Sequence, residues 1–176
     1  RHVTVLFGGS MNGSAVDNFT WEWDGTAWLM KSMSGPSPRF AQAMAYDPAR
    51  HLTVLYGWGE TWEWNGTSWT QIVVPGPSAR FGHSMAYDPI RQRIVLTGGF
   101  GSSNYADDTW EFDGTSWTLG ATGNPTRRMY SAAAFDPQRS RVVQFGGWLG
   151  AQDVVNDLYS WTGSAWQIEP LASPPG

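Results

Sequence analysis

The octapeptide WEWDGTAW at residues 21–28 returns as WEWNGTSW at 62–69, WEFDGTSW at 110–117 and YSWTGSAW at 159–166. A chain that copies itself in this way must be read as an array of like units first, because one unit cannot bury its apolar face alone. Aligned on DPxR, the units begin at Arg50, Arg91 and Arg139, with Arg1 in the same slot, at spacings of 49, 41 and 48 residues. The units therefore run over approximately 1–49, 50–90, 91–138 and 139–176, within a single domain spanning 1–176.

Each unit passes through the same stations. An apolar run ends in glycine (TVLFGG 4–9, TVLYG 53–57, IVLTGG 94–99, VVQFGG 142–147), and a variable segment leads to the TWEWDG run. A short run then opens at Trp28, Trp69, Trp117 or Trp166, and a proline-rich link (GPSPR, GPSAR, NPTRR) feeds FAQAMAYDP, FGHSMAYDP or MYSAAAFDP. These runs are short, alternating and rich in β-branched and aromatic residues, punctuated by glycine and proline, which argues strand throughout. Four short strands per unit at this period predict blades of a β-propeller. The expectation is an all-β propeller segment of about four blades and 15 strands, the first lacking its innermost strand, since the sequence opens at a second strand and stops at SPPG (173–176). An unpaired edge in so buried a place suggests completion by further blades or by another copy of the chain.

The pattern resembles the kelch repeat over essentially the whole chain: a glycine pair after an apolar run, an aromatic in the third strand, a spaced tryptophan and a PxxR lead-in. WD-repeat propellers fit less well, because Trp23-Asp24 has only one Gly-His to accompany it, at Gly82-His83. The DGTxW turn also looks like the Asp-box of sialidase propellers, with its glycine one residue too early. The kelch resemblance implies that Arg39, Arg80 and Arg128, each three residues after a proline, reach the mouth of a central channel. Guanidinium groups there would suit carboxylates or other anions. The alternative is that they satisfy strand-end carbonyls or neighbouring carboxylates.

In WEWDGTAW, the two-residue period sends Trp21 and Trp23 to one sheet face and Glu22 to the other, and Asp24-Gly25 reads as a tight two-residue hairpin turn. A tryptophan buries about 150–250 Å², at most roughly 4–6 kcal/mol at about 25 cal/mol/Å², so these rings read as inter-blade core. Glu22, Glu63 and Glu111 recur once per unit, whereas an active site needs unlike residues converging once. They are expected to pair with arginines such as Arg50, Arg91 and Arg139.

A four-strand meander places its DPxR and DGT turns on one side of the disc and its irregular segments on the other. Those segments, 10–18, 58–60, 100–107 and 148–156, carry the length changes between units, and irregular loops on a rigid scaffold are where binding resides. Trp58, Phe100, Tyr105 and Trp148 sit there as candidate ligand or partner contacts, or as lids over the core.

Composition narrows the function. A net charge of −4 argues against nucleic acid, and no apolar run approaches the roughly 18 residues of a membrane span. With no cysteine the chain has neither a disulfide framework nor the crosslinked centre of the galactose-oxidase-like kelch enzymes, and His2, His51 and His83 are scattered. Asp107, Asp108, Asp153 and Asp157 match no calcium-loop spacing, so neither metal nor cofactor is expected. Sequons at Asn12, Asn18 and Asn65 read as turn residues. The reading is a non-catalytic binding module, extracellular or periplasmic, that presents its variable face to a protein or glycan and forms an oligomer or joins further blades. A carbohydrate-active enzyme with an arginine-lined channel, of sugar-acid mutarotase or sialidase type, is the alternative.

Overall fold

The computed structural model describes residues 2–11, 15–123, 125, 127–150 and 153–170. Arg1, Asn12 and the SPPG stretch lie outside them. The described residues form 15 strands in four antiparallel sheets with no helix. The first sheet comprises β1 (Thr4–Met11), β2 (Ala15–Trp23) and β3 (Trp28–Ser32). The second comprises β4 (Ala43–Asp47), β5 (Leu52–Gly57), β6 (Glu60–Trp64) and β7 (Trp69–Ile72). The third holds β8 (Ser84–Asp88), β9 (Arg93–Thr97), β10 (Asp108–Phe112) and β11 (Trp117–Thr122). The fourth holds β12 (Ala132–Asp136), β13 (Arg141–Trp148), β14 (Val154–Trp161) and β15 (Trp166–Glu169). Each sheet is a meander in chain order, and the inner strand β8 lies against both β4 and β12. Because the unit boundaries fall in the turns after β4, β8 and β12, each complete sheet draws its inner strand from the preceding unit.

Successive sheets meet along a repeating seam. Val54 and Tyr56 of the second sheet pack against Ile94, Leu96, Phe112 and Trp117 of the third, and Val95 of the third packs with Val142, Trp161 and Trp166 of the fourth. The seam tryptophans also have a polar handle. Trp69 Nε1 donates to Thr20 Oγ1 at 2.8 Å, Trp117 to Thr61 at 2.9 Å and Trp166 to Thr109 at 2.8 Å. Trp64 and Trp161 donate in the same direction to Glu22 and Glu111. The tryptophans at these seams are thus scaffold, and Trp28, in the first described sheet, is 45% exposed.

The turns differ from expectation in one respect. Trp23 pairs with Trp28 and the Asp24 amide donates to Ala27 O, so the loop has four residues rather than two. The Asp24 carboxylate accounts for this, accepting from Thr26 N at 2.8 Å, Thr26 Oγ1 at 2.7 Å and Ala27 N at 2.9 Å. Those hydrogen bonds, the threonine hydroxyl first, hold its pKa down at about 2. Asn65 and Asp113 build the same loop.

Two segments expected as irregular are largely strand. A bulge after Phe7 and another after Phe145 re-set the ladder, and the hairpins continue to Met11↔Ala15 and Trp148↔Val154. Gly98, at φ 70°, shows why glycine recurs at the strand end: a Cβ there would stand 2.5 Å from Arg128 O.

On the turn side, Glu63 and Glu111 follow the expected pairing with arginine. Arg50 donates to Glu63 at 2.5 Å and to Asp47 at 2.7 Å, and Arg91 binds both oxygens of Glu111. Glu22 meets Trp64 and, at 3.9 Å, Lys31. In the fourth sheet Ser160 takes the glutamate position, and Arg139 pairs with Asp136 and Glu169 instead.

Candidate binding face

Arg39, Arg80 and Arg128 stand just before the inner strands and are 3%, 2% and 1% exposed. Arg39 donates to Gly57 O at 3.1 Å and Glu60 at 2.5 Å. Arg80 donates to Gly98 O at 3.2 Å and grips both oxygens of Asp108. Arg128 does the same with Gly146 O at 3.0 Å and Asp157 at 2.5 and 3.0 Å. The planar fork is matched to a carboxylate of its own sheet. Their backbone carbonyls accept from Gly9, Trp58 and Gly99 of the preceding sheets. These arginines clamp strand ends, each guanidinium engaged by a carbonyl and a carboxylate of its own sheet. Burial pushes the Asp108 and Glu60 carboxyls up, but hydrogen bonds from Arg80 and Trp110, and from Arg39 and Trp62, outweigh it and hold both below their ordinary values.

The four aromatic candidates do come together. Trp58 stacks on Phe81 at 6.0 Å, Phe81 meets Phe100 at 5.7 Å, Phe100 meets Tyr105 edge-on at 5.0 Å, and Tyr105 meets Trp148 at 6.3 Å. Phe40 extends the run beyond Trp58 at 6.5 Å. The result is one aromatic track crossing three sheets on the side of the β-strand 2→3 and 4→1 connections. Backbone bridges Phe81↔Phe100, Phe100↔Tyr105 and Met129↔Trp148 fix its loops. Phe40 and Phe81 were missed in the sequence although both directly follow a clamp arginine, a signal the repeat alignment contains.

Trp58 and Phe40 are 50% and 45% exposed, while the rings between Phe81 and Trp148 are half-buried. Trp58 occupies the left-handed region at φ 60°, followed by Gly59 at φ 86°, in the two-residue turn between β5 and β6. A bulky residue there costs about 1–2 kcal/mol, and such strain clusters at ligand sites.

Beside Tyr105 the track borders a recess of about 290 Å³, walled by Ser78, Asn104, Asp107, Asp108 and Thr122. Arg80 lines its floor, and Arg127 stands 3.9 Å from Asp107. The three histidines remain apart. His51 Nδ1 meets Tyr46 Oη at 3.2 Å, whereas His83 is buried with Nε2 at 3.1 Å from Tyr56 O. Among the described residues no group of three or more His, Asp or Glu side chains is placed to hold a metal ion.

No protein-family model and no curated protein matches the sequence. Solved structures do: the structure of YjhT superposes with a TM-score of 0.70 at 14% identity, covering 88% of this chain and 53% of that one. The chain thus spans about half the length of that structure. At this identity the likeness shows the fold alone, and the four radially stacked meanders are a β-propeller segment.

Proposed function

We propose that this chain is a kelch-type propeller segment acting as a non-catalytic binding module, with the aromatic track from Phe40 to Trp148 as its contact surface for a glycan or protein. The observation that carries the reading is the continuity of six rings across three sheets. Ring faces stack on sugars or anchor a partner, and a strained, exposed tryptophan next to the Phe40 end of the run is a natural first contact. The Asn104, Asp107 and Ser78 groups of the adjoining recess supply directional hydrogen bonds of the kind that fix a ligand's orientation. Titration with neutral and acidic oligosaccharides, followed by tryptophan fluorescence, tests this: binding lost in Trp58→Ala and Tyr105→Ala supports it, and unaltered binding in both removes the track from the site.

The enzymatic reading is favoured by one observation, the convergence of Tyr105, Asp107, Asp108 and Arg80 on a single recess. Against it stands the Arg80 fork, already engaged by Asp108 and Gly98 O. Sugar turnover or anomer exchange monitored by NMR, abolished by Asp107→Asn, would select the enzyme over the binder.

A further inference from the structure

We propose that the recess beside Tyr105 takes a single uncharged sugar ring and turns away its carboxylated and ammonium counterparts. The inference rests on the aromatic track being a glycan surface and assigns the class of sugar at one place along it. The recess holds about 290 Å³, at the lower limit of small-molecule sites, so it suits one ring. It is built in advance. The connection between β9 and β10 closes on itself through Gly101 N to Asn104 O at 2.9 Å and Ala106 N to Gly99 O at 2.8 Å. Just past β11, Gly123 N ties down the far side by donating to Asp107 O at 2.9 Å. Tyr105 meets both Phe100 and Trp148 edge-on. Gly150 leaves the room this needs, since a Cβ there would stand 3.0 Å from the tyrosine Oη. Walls fixed before binding lose little freedom when a ligand arrives.

Charge then selects the ligand. Two guanidinium groups, Arg80 and Arg127, meet two carboxylates, Asp108 and Asp107, around this recess. A guanidinium has five N–H groups, and Arg80 commits all of them. Its Nε donates to Ser78 O at 3.1 Å, its Nη1 to Gly98 O at 3.2 Å and to Asp108, and its Nη2 to Ser78 Oγ and Asp108, both at 2.9 Å. No donor of this arginine is left for an incoming carboxylate. Arg127 stands 3.9 Å from Asp107, too far for a hydrogen bond but close enough to balance its charge. An anion here would face Asp107 with no buried, uncommitted cation to offset the repulsion, and an ammonium group would face two guanidiniums in the same way. What the recess does offer is hydrogen bonding. Asp107 accepts through a carboxylate that is 37% exposed, and Ser78 Oγ, which accepts from Arg80, keeps its own proton for a ligand oxygen. The hydroxyls of a pyranose donate to the first and accept from the second, while its carbon–hydrogen face rests on Tyr105.

The test titrates the 176-residue chain with methyl glycosides of glucose, galactose and mannose, each beside its 6-carboxylate and its 2-amino derivative, read by ligand-observed NMR. In at least one series the neutral sugar is expected to bind about tenfold or more tighter than either charged form. Asp107→Asn, a change at a part-exposed loop residue, weakens the neutral sugar about tenfold, the scale of a hydrogen bond to a charged group. It also narrows the lead over the carboxylate. A charged form that binds as tightly as its neutral parent, neutral binding indifferent to Asp107→Asn, or no binding in any series would each overturn the proposal. Oligosaccharide binding that is lost in Trp58→Ala, yet blind to sugar charge and to Asp107→Asn, strikes the recess alone and leaves the glycan track standing. Absence of all saccharide binding removes both.

Discussion

Trp117 Nε1 reaches across a sheet boundary to Thr61 Oγ1 at 2.9 Å, and both side chains are almost fully removed from water. The same bond joins Trp69 to Thr20 and Trp166 to Thr109, so it is a property of the seam. It makes each indole directional: the ring supplies contact area, and its N–H fixes how far the next sheet can slide.

Trp117→Phe leaves the Thr61 hydroxyl buried without its donor and is expected to destabilise the chain by about 1–3 kcal/mol, with a further loss from the smaller ring. Trp28→Phe, at an exposed ring, stays within about 0.5 kcal/mol. Urea unfolding of both variants measures the contrast, and equal losses would mean that the seam bond contributes nothing.

Arg80 is enclosed and holds Asp108, Gly98 O and the Ser78 backbone and hydroxyl together. Arg80→Met leaves that half-buried carboxylate with Trp110 Nε1 as its remaining side-chain donor, a loss of about 1–3 kcal/mol. Arg80→Met with Asp108→Asn recovers part of the loss. A calorimetric comparison of the single and double variants gives the coupling.

His83 makes stability depend on acidity. Burial first, then the nearby Arg80 charge, pushes its pKa down from 6.5 to about 3. The unfolded chain takes up a proton below pH 6.5 that the folded chain refuses, so stability present above that pH is lost on acidification toward pH 3. The loss is about 1.4 kcal/mol per pH unit within this window. Gln42 occupies the same slot one sheet earlier and donates to Phe7 O at 2.6 Å as His83 meets Tyr56 O. His83→Gln should therefore keep the fold and flatten the slope above pH 5. Below that, protonation of Asp108 and Glu60, whose folded pKa values are depressed, adds a loss that His83→Gln does not remove.

Trp58→Asn separates folding from recognition. Asparagine tolerates the left-handed backbone at φ 60°, so relief of strain offsets the lost stacking on Phe81, and thermal stability stays within about 1 kcal/mol. Binding through the aromatic track falls at least tenfold in the same variant. A matched fall in stability and binding would assign Trp58 to the scaffold.

The strand positions and the meander order were readable because apolar periodicity and the DPxR and DGT-type punctuation are local and recur from unit to unit. The in-blade pairing of Glu63 and Glu111 with arginine was legible for the same reason. The size of the DGTA loop was not, since it depends on how Asp24 distributes three hydrogen bonds over the next residues. The clamp role of Arg39, Arg80 and Arg128 was legible only as one of two readings. A proline-led arginine looks alike in sequence whether it points into a channel or back into its own sheet, and only the position of Glu60, Asp108 or Asp157 across the strand pair decides. The track was half visible: Trp58, Phe100, Tyr105 and Trp148 stood out as irregular, while Phe40 and Phe81 were hidden by their regularity.

The offset between sequence unit and sheet has an evolutionary corollary. Duplicating a unit from one DPxR turn to the next inserts three outer strands and the inner strand of the following sheet. Every new junction is thus covalently stitched into its neighbour from the moment the gene copies itself. An array built this way can lengthen or shorten by whole units without leaving a loose wedge inside it, and the exposed margins migrate to the two ends.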